Sequence, residues 1–258
     1  MKFNYELSNK VLDFIENAEL EEISIGCSNS QVFKIKKEDN IYFLKVADKG
    51  ILTSEYEKLK WLVGKLNVPK IVLYDLENDI EYLITEGLKG EMLCSNYFEN
   101  NPMIGIKVIA NAFKHIYSVD INNCPFDSSI DYWLSKIEGY INDNLIKEEN
   151  IKEDVLKKFG SIDNIFKYLK ENKFEEELCF SHGDPSLPNI FSLNDEFSGL
   201  IDVGQCGIAD KWFDLAICEK SIIRNYGKEY VSEFYKELNI IPERTKIDYF
   251  ILMLEVLL

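Results

Sequence analysis

The chain has 258 residues, of which 46% are hydrophobic and 13% are aromatic. This composition supplies ample material for a core and argues against intrinsic disorder, and the length predicts one large domain or two small ones. The 45 acidic residues outnumber the 29 basic ones, which gives a formal net charge of −16 at pH 7. Because nucleic-acid phosphates attract clusters of Lys and Arg, this charge argues against a nucleic-acid partner. It can attract a polycationic ligand or simply keep the protein soluble, and charge alone does not separate these interpretations.

The six cysteines are scattered along the chain and include no Cys-x-x-Cys pair. A zinc site or a disulfide framework is therefore not expected, and a reducing compartment fits this usage. The first residues lack the apolar region of a signal peptide, and no apolar run approaches the ~18 residues of a membrane-spanning helix. We expect a cytoplasmic monomer with no membrane partner.

The first part of the chain is predicted to form a helix and an antiparallel sheet. Apolar residues at helical spacing predict a helix over residues 8–19. Short apolar runs bounded by turn residues predict five strands, over residues 22–26, 31–36, 41–47, 71–74 and 81–85. A second helix is predicted over residues 51–66, between the third and fourth strands.

Lys45 stands in the third predicted strand, where a buried ammonium group is costly unless it has an anionic partner. The alternative is that the side chain extends to solvent. In the following helix, apolar residues lie four, seven, eight and eleven positions after Glu55, so Glu55 shares their buried face. Glu57 lies about 200° further around the helix and faces away. Helix geometry therefore selects Glu55 as the partner of Lys45.

The rest of the chain is predicted to be mainly helical. After about residue 92 the pattern is helical up to the segment that contains His182. Further helices are predicted from residue 209, with Asp210 as its cap, over residues 228–239 and over residues 243–258. The polar segment over residues 142–158 carries many charges. A charge run of this kind is by default a solvated surface.

The segment from Phe180 to Gly204 carries the residues best suited to chemistry. A short buried strand leads into a loop that contains Asp184, and two strands joined by the turn at residues 194–196 form a hairpin. Because a hairpin brings its outer ends together, we predict that Asn189 and Asp202 lie side by side, with Asp184 close to them. Such oxygen ligands suit Mg²⁺ bound with phosphates, since this ion keeps several waters and takes only one or two protein ligands.

The spacing Asp184-x-x-x-x-Asn189, followed by Asp202-x-Gly204, is the catalytic pattern of protein kinases. The opening His182-Gly183-Asp184 departs from the protein-kinase form and resembles small-molecule kinases, above all the aminoglycoside 3′-phosphotransferases. Residues 197–202, 207–212 and 214–216 follow that family's order and spacing. Each segment alone could be an ordinary turn or helix cap, but their joint occurrence favours the resemblance, which covers nearly the whole chain.

The resemblance implies an α+β, protein-kinase-like bilobal fold. Its N-terminal lobe, residues 1–90 with the hinge, contains a five-stranded antiparallel sheet, and its larger, mainly helical lobe covers residues 91–258. The implied activity is transfer of the γ-phosphate of ATP, with GTP as an alternative nucleotide, to the 3′ hydroxyl of an aminoglycoside antibiotic, which confers resistance. Asp184 would position and deprotonate that hydroxyl, while Asn189 and Asp202 would bind Mg²⁺.

The resemblance also implies residues for binding. Lys45, tied to Glu55, would hold the α- and β-phosphates. The other implied nucleotide contacts are Gly26, Ser28 and Asn29 over the phosphates, Phe43 against the base, and Thr85 and Gly87 at the hinge. Phe43 could equally be an ordinary core residue. For the ammonium groups of the antibiotic, the implied partners are Glu149, Glu153, Glu255 and the carboxylate of Leu258.

Three residues depart from the family pattern. Pro185 follows the catalytic aspartate and removes one backbone N–H, Gln205 stands where an arginine is common, and Leu254 takes a position where an acid often contacts substrate. Two alternatives therefore stay open. One is a kinase of another small hydroxylated metabolite, and the other is a nucleotide-binding pseudokinase with a regulatory role.

Overall fold

The computed structural model of the chain describes residues 3–23 and 30–257. The elements up to residue 117 are α1 Asn9–Ile15, β1 Glu19–Ile23, β2 Gln31–Lys37, β3 Asn40–Asp48, α2 Thr53–Leu62, β4 Ile71–Glu77, β5 Ile80–Glu86, β6 Glu91–Met92, α3 Asn96–Asn100 and α4 Pro102–Tyr117. The later elements are α5 Ile130–Asn142, α6 Glu153–Phe159, α7 Ile162–Glu171, β7 Leu178–Ser181, β8 Ile190–Leu193, β9 Glu196–Leu200, β10 Gly207–Asp210, α8 Lys211–Asn225, α9 Val231–Leu238 and α10 Arg244–Leu257.

The chain divides into two compact units. The smaller unit consists of Met1–Glu91, Phe191–Asn194 and Ser198–Gln205. The larger unit consists of Met92–Ile190, Asp195–Phe197 and Cys206–Leu258. Within the part of the chain that the structure describes, no helix is long and apolar enough to cross a bilayer.

The smaller unit is built on a five-stranded antiparallel sheet in the order β1-β2-β3-β5-β4, which confirms the sheet predicted from the sequence. Side chains alternate between the two faces of a strand, so every second residue can join one core. The core on one face consists of Val11, Phe33, Ile35, Leu44, Val46, Tyr82 and Ile84. Lys45 lies between two of these positions and therefore projects from the opposite face.

Several element boundaries differ from the prediction. Helix α1 ends at Ile15 rather than at residue 19, because Asn17 has a left-handed backbone with φ of 61° and the first strand begins at Glu19. That strand consequently starts three residues earlier than expected. Helix α2 is shorter than predicted at both ends, and the chain leaves helical geometry at Val63, where ψ is 122°.

The larger unit is mainly helical, as predicted, and its helices pack through apolar faces. Helix α10 packs against α8, and α4 packs against α9. Aromatic rings contribute to both contacts: the ring centroids of Phe213 and Phe250 are 5.5 Å apart, and those of Phe113 and Phe234 are 5.6 Å apart. Helix α8 is buried along most of its length, which makes it the centre of this unit.

The prediction of a helix starting at Ala209 was wrong by two residues. Residues 207–210 form strand β10, which pairs antiparallel with β7, and helix α8 begins only at Lys211. The Asp210 side chain caps α8 as expected, with the Trp212 N–H donating to Oδ1 over 2.8 Å. Gly207 lets the strand approach closely, because a Cβ there would lie 2.9 Å from the Phe126 carbonyl oxygen. The paired strands hold Ser181, which leads into the loop that contains Asp184.

Candidate active site

The loop that begins at Ser181 is held by the buried carboxylate of Asp214, which lies in the first turn of α8. Asp214 Oδ1 accepts from Ser181 Oγ over 2.6 Å and from the Gly183 N–H over 3.0 Å, and Oδ2 accepts from the His182 N–H over 2.7 Å. Burial raises the pKa of the Asp214 carboxyl, and these hydrogen bonds oppose the rise. Asp214 lies within a segment that resembles the family pattern, but its local sequence gives no sign of this clamping role.

Asp184 and Asn189 contact each other within this loop. The Asn189 Nδ2 donates to Asp184 Oδ2 over 2.9 Å and to the Asp184 carbonyl oxygen over 3.0 Å. Asn189 is 8% exposed. Because its amide nitrogen is engaged by the loop, Asn189 offers Oδ1 as its remaining ligand atom, and this oxygen is suited to a hard cation. The contact also fixes the orientation of the Asp184 carboxylate.

His182 supports the loop through a hydrogen bond. The Asp184 N–H donates to His182 Nδ1 over 3.3 Å, and the side chain is fully buried. Since Nδ1 accepts, this geometry places the proton of the neutral ring on Nε2. His182 therefore holds the backbone of Asp184 through its ring.

The smaller unit contains the predicted ion pair between Lys45 and Glu55. Lys45 Nζ lies 2.7 Å from Glu55 Oε2 and 2.9 Å from Oε1, and 3.2 Å from Asp202 Oδ1. Burial opposes the charge on Lys45, but the two carboxylates outweigh it and raise the pKa of the ammonium group. The lysine thus remains a cation, held between a carboxylate of α2 and the aspartate that precedes Gly204.

Glu81 is a buried carboxylate that was not among the residues predicted to be functional. It is fully buried on β5 and caps α2, whose own N-cap residue supplies no side-chain hydrogen bond. Glu81 Oε2 accepts from the Leu52 N–H over 2.5 Å and from the Thr53 N–H over 3.2 Å, while Oε1 accepts from Tyr74 Oη over 2.7 Å and from the Thr53 hydroxyl. The cap fixes the start of the helix two residues before Glu55. A carboxylate inside an apolar strand was the signal that could have found it.

The predicted hinge residues lie at the end of β5. Phe43 pairs with Thr85 across the sheet, and the Gly87 N–H donates to the Ile41 carbonyl oxygen over 2.8 Å. That donor is therefore already used within the sheet, and contact of Gly87 with a nucleotide base stays a prediction. A Cβ on Gly87 would lie 3.2 Å from the Phe43 ring, so the two residues meet closely.

The acids predicted to meet the substrate differ in burial. Glu149 and Glu153 have side chains that are 75% and 83% exposed, and each has a lysine partner. Glu255, in contrast, is 7% exposed and lies 2.6 Å from Lys152 Nζ and 3.2 Å from Lys220 Nζ. Burial opposes ionisation of Glu255, but these lysines lower its pKa below the ordinary value. Glu255 is therefore an ionised carboxylate that already has two cationic partners.

Other predicted residues are placed as follows. Gly26, Ser28, Asn29 and Leu258 lie outside the described residues. Leu254 is 4% exposed and belongs to the buried face of α10, which explains an apolar residue there. Asn189 belongs to the larger unit and Asp202 to the smaller one, so their predicted proximity stays a prediction. In the described ranges, no group of three or more His, Cys, Asp and Glu side chains is arranged to hold a metal.

The family model described as the phosphotransferase enzyme family matches residues 19–248 of this chain. The chain belongs to this family. It is accordingly an O-phosphotransferase, as the motif around Asp184 predicted.

Relatives over most of the length are known. The chain is 36% identical over 239 residues to an aminoglycoside 3′-phosphotransferase of Enterococcus faecalis, covering 88% of this chain and 89% of that protein. It is 34% identical over 239 residues to an aminoglycoside 3′-phosphotransferase of Campylobacter jejuni, covering 89% of this chain and 93% of that one.

Solved structures of this family share the fold. The crystal structure of an aminoglycoside 3′-phosphotransferase of type VIII superposes with a TM-score of 0.80 at 24% identity, covering 92% of this chain and 93% of the other. An aminoglycoside phosphotransferase of Streptomyces rimosus, solved in complex with ADP and streptomycin, gives a TM-score of 0.72 at 17% identity and covers 92% of each chain. The protein-kinase-like fold predicted from the sequence is confirmed.

Proposed function

We propose that this phosphotransferase moves the γ-phosphate of ATP to the 3′ hydroxyl of an aminoglycoside antibiotic. The names of the relatives that are 36% and 34% identical support this substrate class, and the ADP complex of the Streptomyces protein supports the nucleotide. The observation that carries the proposal is the contact between Asp184 and Asn189 on a clamped loop, because it preorganises a carboxylate to meet a hydroxyl.

In the proposed reaction, Asp184 accepts the proton of the acceptor hydroxyl as that oxygen attacks the γ-phosphorus. The bond between the γ-phosphorus and the bridging oxygen breaks, and ADP leaves with the electron pair. Such transfers depend on alignment and charge neutralisation more than on covalent chemistry. Asn189 keeps the carboxylate of Asp184 in one orientation, and Lys45, fixed by Glu55, holds the α- and β-phosphates.

The donor atoms at Asn189 and Asp202 fit Mg²⁺. Asn189 offers an amide oxygen, and the Asp202 side chain is a carboxylate that is 53% exposed and therefore accessible to an incoming metal–nucleotide complex. Magnesium takes few protein ligands when phosphates and waters complete its shell. Bound with the nucleotide, the ion would neutralise phosphate charge. The role of Lys45 beside Asp202 is then to hold the same phosphates from the protein side.

A second candidate is a kinase of another small hydroxylated metabolite. It is favoured by the two lysines on Glu255, because a carboxylate that already has two cationic partners attracts the ammonium groups of an antibiotic less strongly. An acceptor with fewer positive charges depends less on the negative charge of Glu255, so the two lysines would weaken its binding less. Both reactions would use the same residues in the same roles: Asp184, Asn189, Asp202, Lys45 and Glu55.

The experiment that separates the candidates measures ADP release with Mg-ATP against kanamycin, neomycin, macrolides and uncharged polyols. We expect saturable release with kanamycin and neomycin, and phosphorus NMR of the product should show one phosphate on the 3′ oxygen. A 3′-deoxy aminoglycoside is the matched control and should give no product. Equal turnover of that control, or turnover of a polyol alone, would contradict the proposed acceptor.

A further inference from the structure

Helix α2 carries a second buried charge besides Glu55. Lys58 is 6% exposed and lies three residues after Glu55, which places it on a neighbouring part of the same helix face. Its Nζ donates to the Gly204 carbonyl oxygen over 2.7 Å. Ser54, one turn earlier on the same face, donates its hydroxyl to the same oxygen over 3.1 Å. Two side chains of α2 thus converge on one backbone carbonyl.

The backbone that contains Gly204 is the short turn that directly follows Asp202. Asp202 has φ of 61°, in the left-handed region that is unfavourable for residues with a Cβ unless their surroundings hold them there. Before this turn, the Leu200 N–H donates to the Asn67 carbonyl oxygen over 2.9 Å. After it, the Gly204 carbonyl is held by Lys58. Hydrogen bonds at Leu200 and Gly204 consequently hold the backbone on both sides of Asp202.

A lysine is a costly choice for a buried position if the purpose is packing. An ammonium group in an apolar setting loses its hydration, whereas a methionine would fill a similar volume without that cost. The hydrogen bond from the Lys58 ammonium group to the Gly204 carbonyl oxygen is charge-assisted, so it is stronger and more directional than a neutral contact. A lysine at position 58 is therefore consistent with a role in holding the Gly204 carbonyl rather than in packing.

We propose that Lys58 is a positioning residue for the metal–nucleotide site: its ammonium group fixes the Gly204 carbonyl and thereby aims the Asp202 carboxylate at Mg²⁺. The inference rests on the proposed function, because it takes Asp202 as a metal ligand. Lys58 touches neither nucleotide nor metal in this role. Its loss should weaken the contribution of Mg²⁺ to nucleotide binding more than nucleotide binding itself.

The test is calorimetric titration of ADP into the wild-type protein and into Lys58→Met, with Mg²⁺ and with EDTA. We expect Lys58→Met to weaken Mg-ADP binding about tenfold, the scale of one lost hydrogen bond from a charged donor. Metal-free ADP affinity should stay within about twofold, since the Lys45–Glu55 pair is untouched. We also expect Lys58→Met to lower kcat at low Mg²⁺ concentration, and a higher Mg²⁺ concentration should restore kcat in this variant.

Three further variants make the result specific. Lys60→Met removes an exposed lysine from the same helix and should leave both affinities unchanged. Lys58→Arg keeps a cationic donor and should retain most of the Mg²⁺ effect. Ser54→Ala removes the weaker donor to Gly204 from an exposed position, so it should fold normally. It should weaken Mg-ADP binding about two- to threefold, because a neutral donor contributes less than a charged one.

Unchanged Mg-ADP affinity in both Lys58→Met and Ser54→Ala would overturn the inference. An equal loss with and without Mg²⁺ would also overturn it, because it would assign Lys58 a general structural role. If Lys58→Met does not fold, the result with Ser54→Ala decides. If Mg²⁺ does not change the ADP affinity of the wild-type protein, the metal assignment in the proposed function is wrong. Failure of the proposed function is thus distinguishable from failure of the inference about Lys58.

Discussion

Glu255 Oε1 lies 2.6 Å from Lys152 Nζ, although 103 residues of sequence separate the two side chains. Lys220 adds a second ammonium group at 3.2 Å from the same oxygen. Two cations against one carboxylate leave a local charge of +1, where an aminoglycoside-binding surface is expected to be negative. The relationship makes Glu255 the most informative position for asking which acceptor this phosphotransferase uses.

Removal of Lys152 should improve aminoglycoside binding. We expect Lys152→Ala to lower the KM for kanamycin about three- to tenfold with kcat within twofold, because the gain is in binding that is shared by ground state and transition state. Steady-state kinetics with Mg-ATP measure both constants. Lys167→Ala, which breaks an exposed pair with Glu171, is the control and should change neither. An unchanged or higher KM in Lys152→Ala would show that Glu255 does not meet the substrate.

The role of Asp184 can be tested with little change in shape. Asp184→Asn keeps an acceptor for Asn189 but removes the base, so kcat should fall at least ~100-fold while ADP affinity stays within about twofold. Rapid-quench kinetics and calorimetry provide the two numbers. Asp143→Asn, at an exposed position after α5, should behave as wild type. Near-normal turnover in Asp184→Asn would remove this residue from the mechanism.

The two proposed metal ligands should differ in strength. Asp202→Asn removes a full charge, whereas Asn189→Ala removes a neutral oxygen, so the aspartate variant should lose more of the rise in Tm that Mg-ADP produces. Since the rise reports binding to the folded protein, it can be followed by calorimetric melting at fixed ligand concentration. Small and equal losses in both variants would contradict the assignment.

Local patterns allowed part of this site to be predicted. The pair of Lys45 and Glu55 followed from helix periodicity, since only one of the two nearby glutamates falls on the apolar stripe. The Asp210 cap followed from residue type at a helix start. In both cases the deciding information lies within about one helical turn or one strand, where the geometry of the backbone is repetitive.

The features that escaped prediction depend on contacts between distant parts of the sequence. Glu81 caps a helix that begins almost thirty residues before it, and strand β10 forms only because β7 offers it a partner. The ion pair of Lys152 with Glu255 likewise requires α10 to pack beside the segment before α6. Residue types showed that these groups needed partners, but the partners are set by tertiary packing, for which the sequence carries no local period.

Stability at low pH should depend on Glu177, which contacts Lys211 at 2.5 Å, Lys246 at 2.8 Å and Trp212 Nε1 at 3.2 Å. These hydrogen bonds lower the pKa of Glu177 from 4.5 to about 2. A lowered pKa in the folded state means that the carboxylate stabilises the fold above the unfolded value, and that this contribution is lost as pH falls from about 4.5 to about 2. The side chain is 44% exposed, so solvent screening limits the contribution to about 1 kcal/mol or less.

We therefore expect Glu177→Gln to have a lower Tm than wild type at pH 7, with the difference shrinking steadily as the pH is lowered through this window. Melting curves at closely spaced pH values measure the difference. Glu171→Gln, at an exposed position at the end of α7, is the control and should show no such convergence. A Tm difference between Glu177→Gln and wild type that is independent of pH would indicate lost packing instead.

Helix α2 is fastened to its surroundings at three places: Glu81 holds its first turn, Lys45 holds Glu55, and Ser54 with Lys58 hold Gly204. In protein kinases, movement of the helix that carries the paired glutamate is a control point, because it makes or breaks the lysine contact. A helix tied to two strands and a loop cannot swing away without breaking buried polar contacts. We therefore expect the small unit to keep the Lys45–Glu55 pair assembled before any nucleotide arrives, with no swing of α2 needed to form it.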